Sequence, residues 1–228
     1  MSLYAISDLH LALNANKPMD IFGQNWYKHH EKIKENWLEK INEEDTVLIG
    51  GDISWAMSIN DGLEDLDWIS ALPGKKIIIK GNHDYWWSGI SKLNSLYDNM
   101  HFIQNNFFTY EDYGICGSRG WICPGKGDFS SKDEKIYHRE QIRLRLSLDA
   151  ARSKGYENII AMIHYPPTSE TFEDTAFTDI FEEYKVKKVI YGHLHGPSLN
   201  RVLQGERKGV EYIMTSCDFI DFNPVKIL

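Results

Sequence analysis

Cysteine is scarce in this chain. Cys116, Cys123 and Cys217 are odd in number and form no CxxC pair, which argues against a disulfide framework and for a reducing compartment. Positive charge is also short, with 25 Lys and Arg against 33 Asp and Glu and a net charge of -8. With no Arg/Lys stripe carrying interleaved aromatics, a broad grip on nucleic acid is not expected. An anionic substrate stays open, because bound metal cations would dominate the local field. No apolar run approaches the ~20 residues of a membrane span. The chain opens almost directly on a strand, without a basic stretch leading into a long apolar one, so the default reading is cytoplasmic. Internal repeats, low-complexity tracts and linkers are missing too, and the 228 residues read as a single domain, 1–228.

What the chain does have is a repeated junction. Lys75-Lys76-Ile77-Ile78-Ile79-Lys80 reads as a buried strand that Gly81 stops, and Asn82-His83-Asp84 follow at once. Tyr4 to Ser7 leads into Asp8-Leu9-His10, and Val47 to Gly50 into Gly51-Asp52. Ile159 to Ile163 leads into His164, and Val189 to Gly192 into His193-Leu194-His195. In open α/β sheets ligands collect outside the carboxyl ends of strands, so five apolar runs ending in His, Asp or Asn mark a site.

Taken in order, the chain predicts a strand over 2–7 and then a polar loop with Asn14, Asn16 and Pro18. A helix from about Asn25 carries Trp26, His30, Ile33, Trp37 and Ile41 on one face. His29 and His30 are read as packed or exposed histidines rather than ligands, on an insertion that could cover the site. A helix through Ile59, Leu63 and Leu66 should stop near Pro73-Gly74. A short one follows around Ile90 to Leu96, and this alternation points to parallel βαβ units. Residues 101–103, 107–110 and 113–117 read as an antiparallel meander. After a glycine-bearing loop from Pro124 to Ser131, Ser131-Lys132-Asp133-Glu134 has the form of a capping box opening a long helix closed by Gly155. A short helix near Thr178 to Tyr184 precedes tail strands at Leu199–Leu203, Val210–Thr215 and Val225–Leu228.

Singly the junctions are weak, since a Gly-Asp after a strand is often only a turn and a lone histidine is more often core than ligand. Together they offer carboxylates, imidazoles and one amide oxygen with no thiolate, a set suited to first-row ions such as Mn, Fe, Co or Zn. The ligands are too many for one catalytic ion with an open position. Two ions sharing a carboxylate account for them better.

Asp8-Leu9-His10, Gly51-Asp52, Gly81-Asn82-His83-Asp84, His164 and Gly192-His193-Leu194-His195 resemble, in order, the D-x-H, G-D, G-N-H-[DE], H and G-H-x-H blocks of the calcineurin-like metallophosphoesterases. That resemblance implies an α/β fold, a four-layer αββα sandwich of two mixed β-sheets flanked by helices. It implies two divalent transition-metal ions, Mn, Fe or Zn. Asp8, His10 and His195 would bind the first, Asn82, His164 and His193 the second, and Asp52 would bridge them. A metal-bound hydroxide would attack a phosphomonoester or phosphodiester of small size. His83 would be the general acid, with Asp84 orienting its ring.

The stretch Gly51-Asp52-Ile53-Ser54-Trp55 lacks the G-D-x-x-D-R-G extension of the protein phosphatases in that family, and Asp84 stands where those enzymes have Glu. Both favour small-substrate branches. Arg119, between Gly117 and Gly120 at a strand end, is read either as a phosphate contact, since Arg forks onto phosphate oxygens, or as a salt-bridged arginine. Trp121, Trp86 and Trp87 could line a pocket, with core packing expected for at least two. Two other functions compete: a nuclease of the same fold, which the acidic balance disfavours, and a non-catalytic scaffold, which should have lost ligands that are all present here.

Overall fold

The computed structural model describes residues 1–228 apart from Asn16 and Lys126, which lie in the polar loop after His10 and in the glycine-bearing loop, so those two loop expectations extend beyond the described residues. Strand β1 (Leu3–Ile6) is followed by 3₁₀ turns at Met19–Phe22 and Gln24–Trp26 and by helix α1 (His29–Lys40). Then come β2 (Thr46–Ile49), α2 (Ile59–Ser70), β3 (Lys75–Ile79), α3 (Ile90–Leu93) and β4 (Met100–Ile103). A hairpin of β5 (Phe108–Tyr110) and β6 (Tyr113–Ser118) leads through the loop to α4 (Ser131–Ser153). The chain continues with β7 (Asn158–Ile163), α5 (Ala176–Glu183), β8 (Lys188–Tyr191) and a 3₁₀ turn at Gly196–Arg201. It ends in β9 (Gly205–Arg207), β10 (Val210–Met214) and β11 (Val225–Lys226).

The strands form two mixed sheets. The first has the order β11-β1-β2-β3-β4 and the second β5-β6-β7-β8-β10-β9. In each the inner pairs run parallel and the antiparallel partners sit at the edges: β11 on β1, β5 on β6 and β9 on β10. Strand side chains alternate faces, and this chain uses both. Ile78, Val47 and Ile49 pack outward with Ile33, Trp37, Leu66 and Ile69 of α1 and α2. Ala161, Ile163, Val189 and Tyr191 pack outward with Leu144 and Leu148 of α4 and Phe177 and Phe181 of α5. Ile77, Ile79 and Leu48 of one sheet meet Ile160, Met162 and Ile190 of the other. Three apolar layers separate four structural ones, which is the expected sandwich.

Local signals start the helices where side chains can take up free N–H groups. Ser58 accepts from the Asp61 N–H at the start of α2. The capping box of α4 is Ser130 with Asp133, one residue earlier than the sequence pattern suggested, and Thr175 caps α5. Three expectations are corrected. Residues 101–117 are not a meander: β4 joins the first sheet parallel to β3, Asn105 turns the chain at a φ of 65°, and only β5 and β6 pair antiparallel. Leu199 lies in a 3₁₀ turn rather than a strand, because Pro197 opens a helical turn and removes a ladder donor. Trp26 likewise precedes α1, in its own turn.

The register brings the functional ends level. Ile6 faces Ile49, which faces Ile78, and in the other sheet Ser118 faces Ile163, which faces Tyr191. At this end the sheets are tied together. The Ser7 N–H donates to the Thr215 carbonyl at 2.8 Å, the Cys217 N–H to the Ser7 carbonyl at 3.1 Å, and the two hydroxyls of Ser7 and Thr215 meet at 2.7 Å.

Candidate metal centre

Four of the seven ligand candidates leave their strands in left-handed backbone. Asp8, His10, Asp52 and His193 all have positive φ, at 61°, 44°, 51° and 75°. Non-glycine residues seldom adopt such backbone, and where they do a function usually holds them there. The glycines of the junctions make room for this. A Cβ on Gly81 would collide with the Asp52 carboxylate and backbone, and one on Gly192 with the Asp8 carboxylate.

Two groups of donors result. Asp8, His10 and His195 each turn one donor atom into a space where all lie within 4.8 Å of one another, and Asp52, His164 and His193 do the same. In the first group His195 Nε2 stands 3.4 Å from Asp8 Oδ1 and from His10 Nε2. In the second His164 Nε2 is 3.4 Å from Asp52 Oδ2 and 2.8 Å from the Asn82 amide oxygen. Asp52 Oδ2 also lies 3.9 Å from His10 Nε2, so one carboxylate oxygen faces both groups.

The donor set fits divalent cations. Asp8 Oδ1 is buried without a hydrogen-bond partner, although its twin Oδ2 accepts from the Ser216 hydroxyl at 2.7 Å and the His193 N–H at 2.9 Å. An orphaned buried carboxylate oxygen is costly unless something positive meets it. Protons take that part here. Burial pushes Asp8 up, but His195 and His164 beside it hold it at about 2. Burial likewise acts against Asp52, which His164 and His10 keep below the usual carboxylate range. Burial pulls His164 and His195 down, yet Asp52 lifts the first to about 9, and Asp8 with Asp218 lifts the second to about 10. Burial wins at His10 and His193, which fall to about 4 and about 3 and stand neutral with free lone pairs.

His83 sits at the mouth, its side chain 36% exposed, with Nε2 4.0 Å from Asp52 Oδ2 and its ring against Trp55. Burial holds it below the ordinary histidine value. Asp84 does not do what was expected of it. Its carboxylate is fully buried and accepts from the backbone N–H groups of Asp52, Ile53, Ser54 and Gly81 and from the Trp86 indole, at 2.7–3.3 Å. Among the described residues it makes no hydrogen bond to His83. It fixes the turn that carries Asp52 rather than the imidazole ring.

Arg119 directly follows β6, and its carbonyl accepts from the N–H groups of His164 and Tyr165. Its guanidinium pairs with Glu140 at 3.6 Å and lies over the Trp121 ring. Trp86 and Trp87 pack under the site and Trp121 donates to Asp133. The aromatic walls are two other tryptophans. Trp55 stacks on His10 with centroids 5.0 Å apart, and Trp26 meets His10 and His195 edge-on. His29 is buried, with its nitrogens 3.2 Å from the Trp26 carbonyl and 3.0 Å from the Leu9 carbonyl, so it ties the insertion to the Asp8–His10 turn.

Sequence reasoning missed Asp218 and Ser216. Asp218 Oδ1 stands 2.8 Å from His195 Nδ1, and Oδ2 takes the Gly196 N–H. Such a carboxylate fixes the tautomer of a ligand histidine and aims its other nitrogen. A signal was present: Val210 to Met214 is a sixth apolar run that ends in polar residues. Asp65 of α2, which accepts from the Leu13 N–H at 2.9 Å and from the Ser54 hydroxyl, carried no such signal.

Comparison with known proteins agrees with this geometry. Residues 1–197 match the model of a family described as calcineurin-like phosphoesterase. A protein named "Probable cyclic nucleotide phosphodiesterase" from Vesicomyosocius okutanii is 26% identical, over 97% of this chain and 88% of its own. The gene 66 protein of Mycobacterium phage D29 is 23% identical over 91% and 85%. Among solved structures, the phosphopantetheinyl hydrolase of Mycobacterium tuberculosis superposes with a TM-score of 0.58 at 15% identity, covering 100% of this chain and 95% of that one. A protein of unknown function from Aquifex aeolicus gives 0.52 at 20% identity, covering 99% and 95%. Both share the fold.

Proposed function

The chain belongs to the calcineurin-like phosphoesterases, and on that footing we propose that it hydrolyses a small phosphomonoester or phosphodiester with two divalent cations, Mn, Fe or Zn. The observation that carries this is the pair of donor groups, Asp8–His10–His195 and Asp52–His164–His193, facing one Asp52 oxygen from two sides. Asn82 completes the second group through its amide oxygen. Cytoplasmic action belongs to the same proposal and is supported by three free, buried cysteines.

Bound cations supply Lewis acidity and a water made nucleophilic near neutral pH. The chain does the rest. Asp8 and Asp52 are kept ionised, and His10 and His193 neutral, so the cradle presents charge and lone pairs together. The His195 ring is aimed by Asp218, and the Asp52 turn is held by Asp84. The His83 ring, reachable from solvent and without a hydrogen bond among the described residues, donates a proton to the leaving oxygen. Trp55 and Trp26 exclude water from the far side of His10.

The test is a panel of p-nitrophenyl phosphate and bis(p-nitrophenyl) phosphate with added Mn. Turnover of at least one, lost on chelation and restored by metal, is the expected result. Absence of turnover on both, in protein shown by elemental analysis to hold two ions, overturns the proposal.

A further inference from the structure

A cavity of about 580 Å³ opens beside the second donor group, with His193 in its wall. Small-molecule sites run from ~300 to ~1,000 Å³, and a phosphate alone would leave most of this one unfilled. Its body is apolar. Tyr165 lies against the His193 ring with centroids 4.1 Å apart, Leu194 follows in the chain, and Ile122 faces the space with 45% of its surface uncovered. Its rim is polar and carries one charge of each sign, Arg201 and Glu170, with Asn200 beside them. The cavity thus suits an organic group about the size of a nucleoside, apolar along its body and hydrogen-bonding at its end.

His83 is not part of that wall. Its ring neighbours are Trp55, His10 and Tyr85. A phosphorus seated between the donor groups therefore has two separate places for its substituents, one at His83 and one in the cavity.

We propose that the cavity holds the retained ester group of a phosphodiester whose other ester group leaves past His83. The inference rests on the phosphoesterase reading and narrows it from either ester to a diester of a bulky, amphipathic alcohol. Water, having lost one proton to solvent, adds its oxygen to phosphorus. The P–O bond to the leaving group breaks, and that oxygen takes the His83 proton, which solvent replaces. The ester bond to the cavity-held group survives, so the products are a phosphomonoester and a free alcohol.

Three substrates with one leaving group test this: p-nitrophenyl phosphate, p-nitrophenyl methyl phosphate and the p-nitrophenyl ester of thymidine 5′-monophosphate, with Mn-loaded protein. The thymidine diester should exceed both others in kcat/KM by about tenfold or more, the usual yield of filling such a pocket. Ile122→Arg and Asn200→Trp should each compress the thymidine-to-methyl ratio toward one. The same changes should weaken binding of thymidine 5′-monophosphate relative to inorganic phosphate by calorimetry. Ile122 is exposed, so its replacement does not endanger the fold, and the methyl ester rate in the same preparations reports intact protein. Equal rates on the two diesters, a faster monoester, or a ratio and binding preference that survive both substitutions overturn the cavity assignment while the phosphoesterase reading stands. No turnover of any of the three by two-ion protein overturns both.

Discussion

Asp52 is held by one oxygen and shared by the other. Oδ1 accepts the His83 N–H at 2.8 Å, while Oδ2 faces His10 on one side and His164 on the other. A carboxylate so placed offsets the mutual repulsion of two cations, which a ligand serving one ion does not. Asp52→Asn should therefore lose more metal than His10→Ala, at both positions, by elemental analysis of the purified variants. Equal or greater loss in His10→Ala contradicts the bridging role. His83 differs in kind. Its ring contributes to neither donor group, so His83→Ala should keep its metal while turnover falls by roughly 10²–10⁴-fold on an ester with an alkyl leaving group. The loss should shrink with p-nitrophenolate, which hardly needs a proton. The same loss on both leaving groups, or loss of metal, removes the acid assignment.

At the scale of elements, the C-terminal stretch does more for the centre than its place in the chain suggests. The family match ends at residue 197, yet β10 and the turn after it supply Thr215 to Ser7, Ser216 to Asp8 and Asp218 to His195. These contacts join the two sheets at the level where the donor groups meet. Asp218→Ala should weaken metal binding at the Asp8–His10–His195 position by about 10–100-fold, the usual cost of removing a carboxylate behind a ligand histidine. Asp218→Asn keeps an acceptor for the imidazole N–H and should restore most of the affinity. Titration of both variants with Mn checks this, and an Ala variant that binds as the parent does removes the orienting role. The turn before α1 and the start of α1 act from the other side, through Trp26 and His29.

For the whole molecule the centre couples charge to stability. Without cations, His164 and His195 stay protonated up to about 9 and about 10, above the ordinary 6.5. The folded chain then binds more protons than the unfolded one between about 6.5 and 10. The stability this contributes is full below about pH 6.5 and is lost as pH rises through those folded values. Cations need the imidazole lone pairs, so metal binding strengthens over the same window. The gap in urea midpoint between metal-loaded and chelated protein should therefore widen from about pH 7 to about pH 9. Burial pulls Lys76 down to about 8, inside this window, and pushes Cys116 and Cys123 up to about 12, in both forms alike, so the difference isolates the centre. A gap that is constant or narrows contradicts the coupling.

The amino-acid sequence by itself determined where the donors lie and in what order. Apolar runs that must be buried, followed closely by Asp, Asn or His and at β2, β3 and β8 stopped by glycine, are local signals, and β1, β2, β3, β7 and β8 all end as they indicate. Alternation along those same strands also carried the two buried faces of each sheet. The tertiary structure decided what depends on the direction of a side chain and on partners distant in the chain. Asp84 turned from the His83 ring to four backbone N–H groups and an indole, because a fully buried carboxylate must be satisfied by whatever donors surround it. Arg119 met Glu140 on α4, which no spacing near residue 119 encodes. Strand β4 joined the first sheet instead of the hairpin beside it, since a four-residue strand carries no record of its partner's direction. Trp26 and Trp55 became the walls of the centre, and Asp218 its support, through packing between segments that periodicity treats as independent.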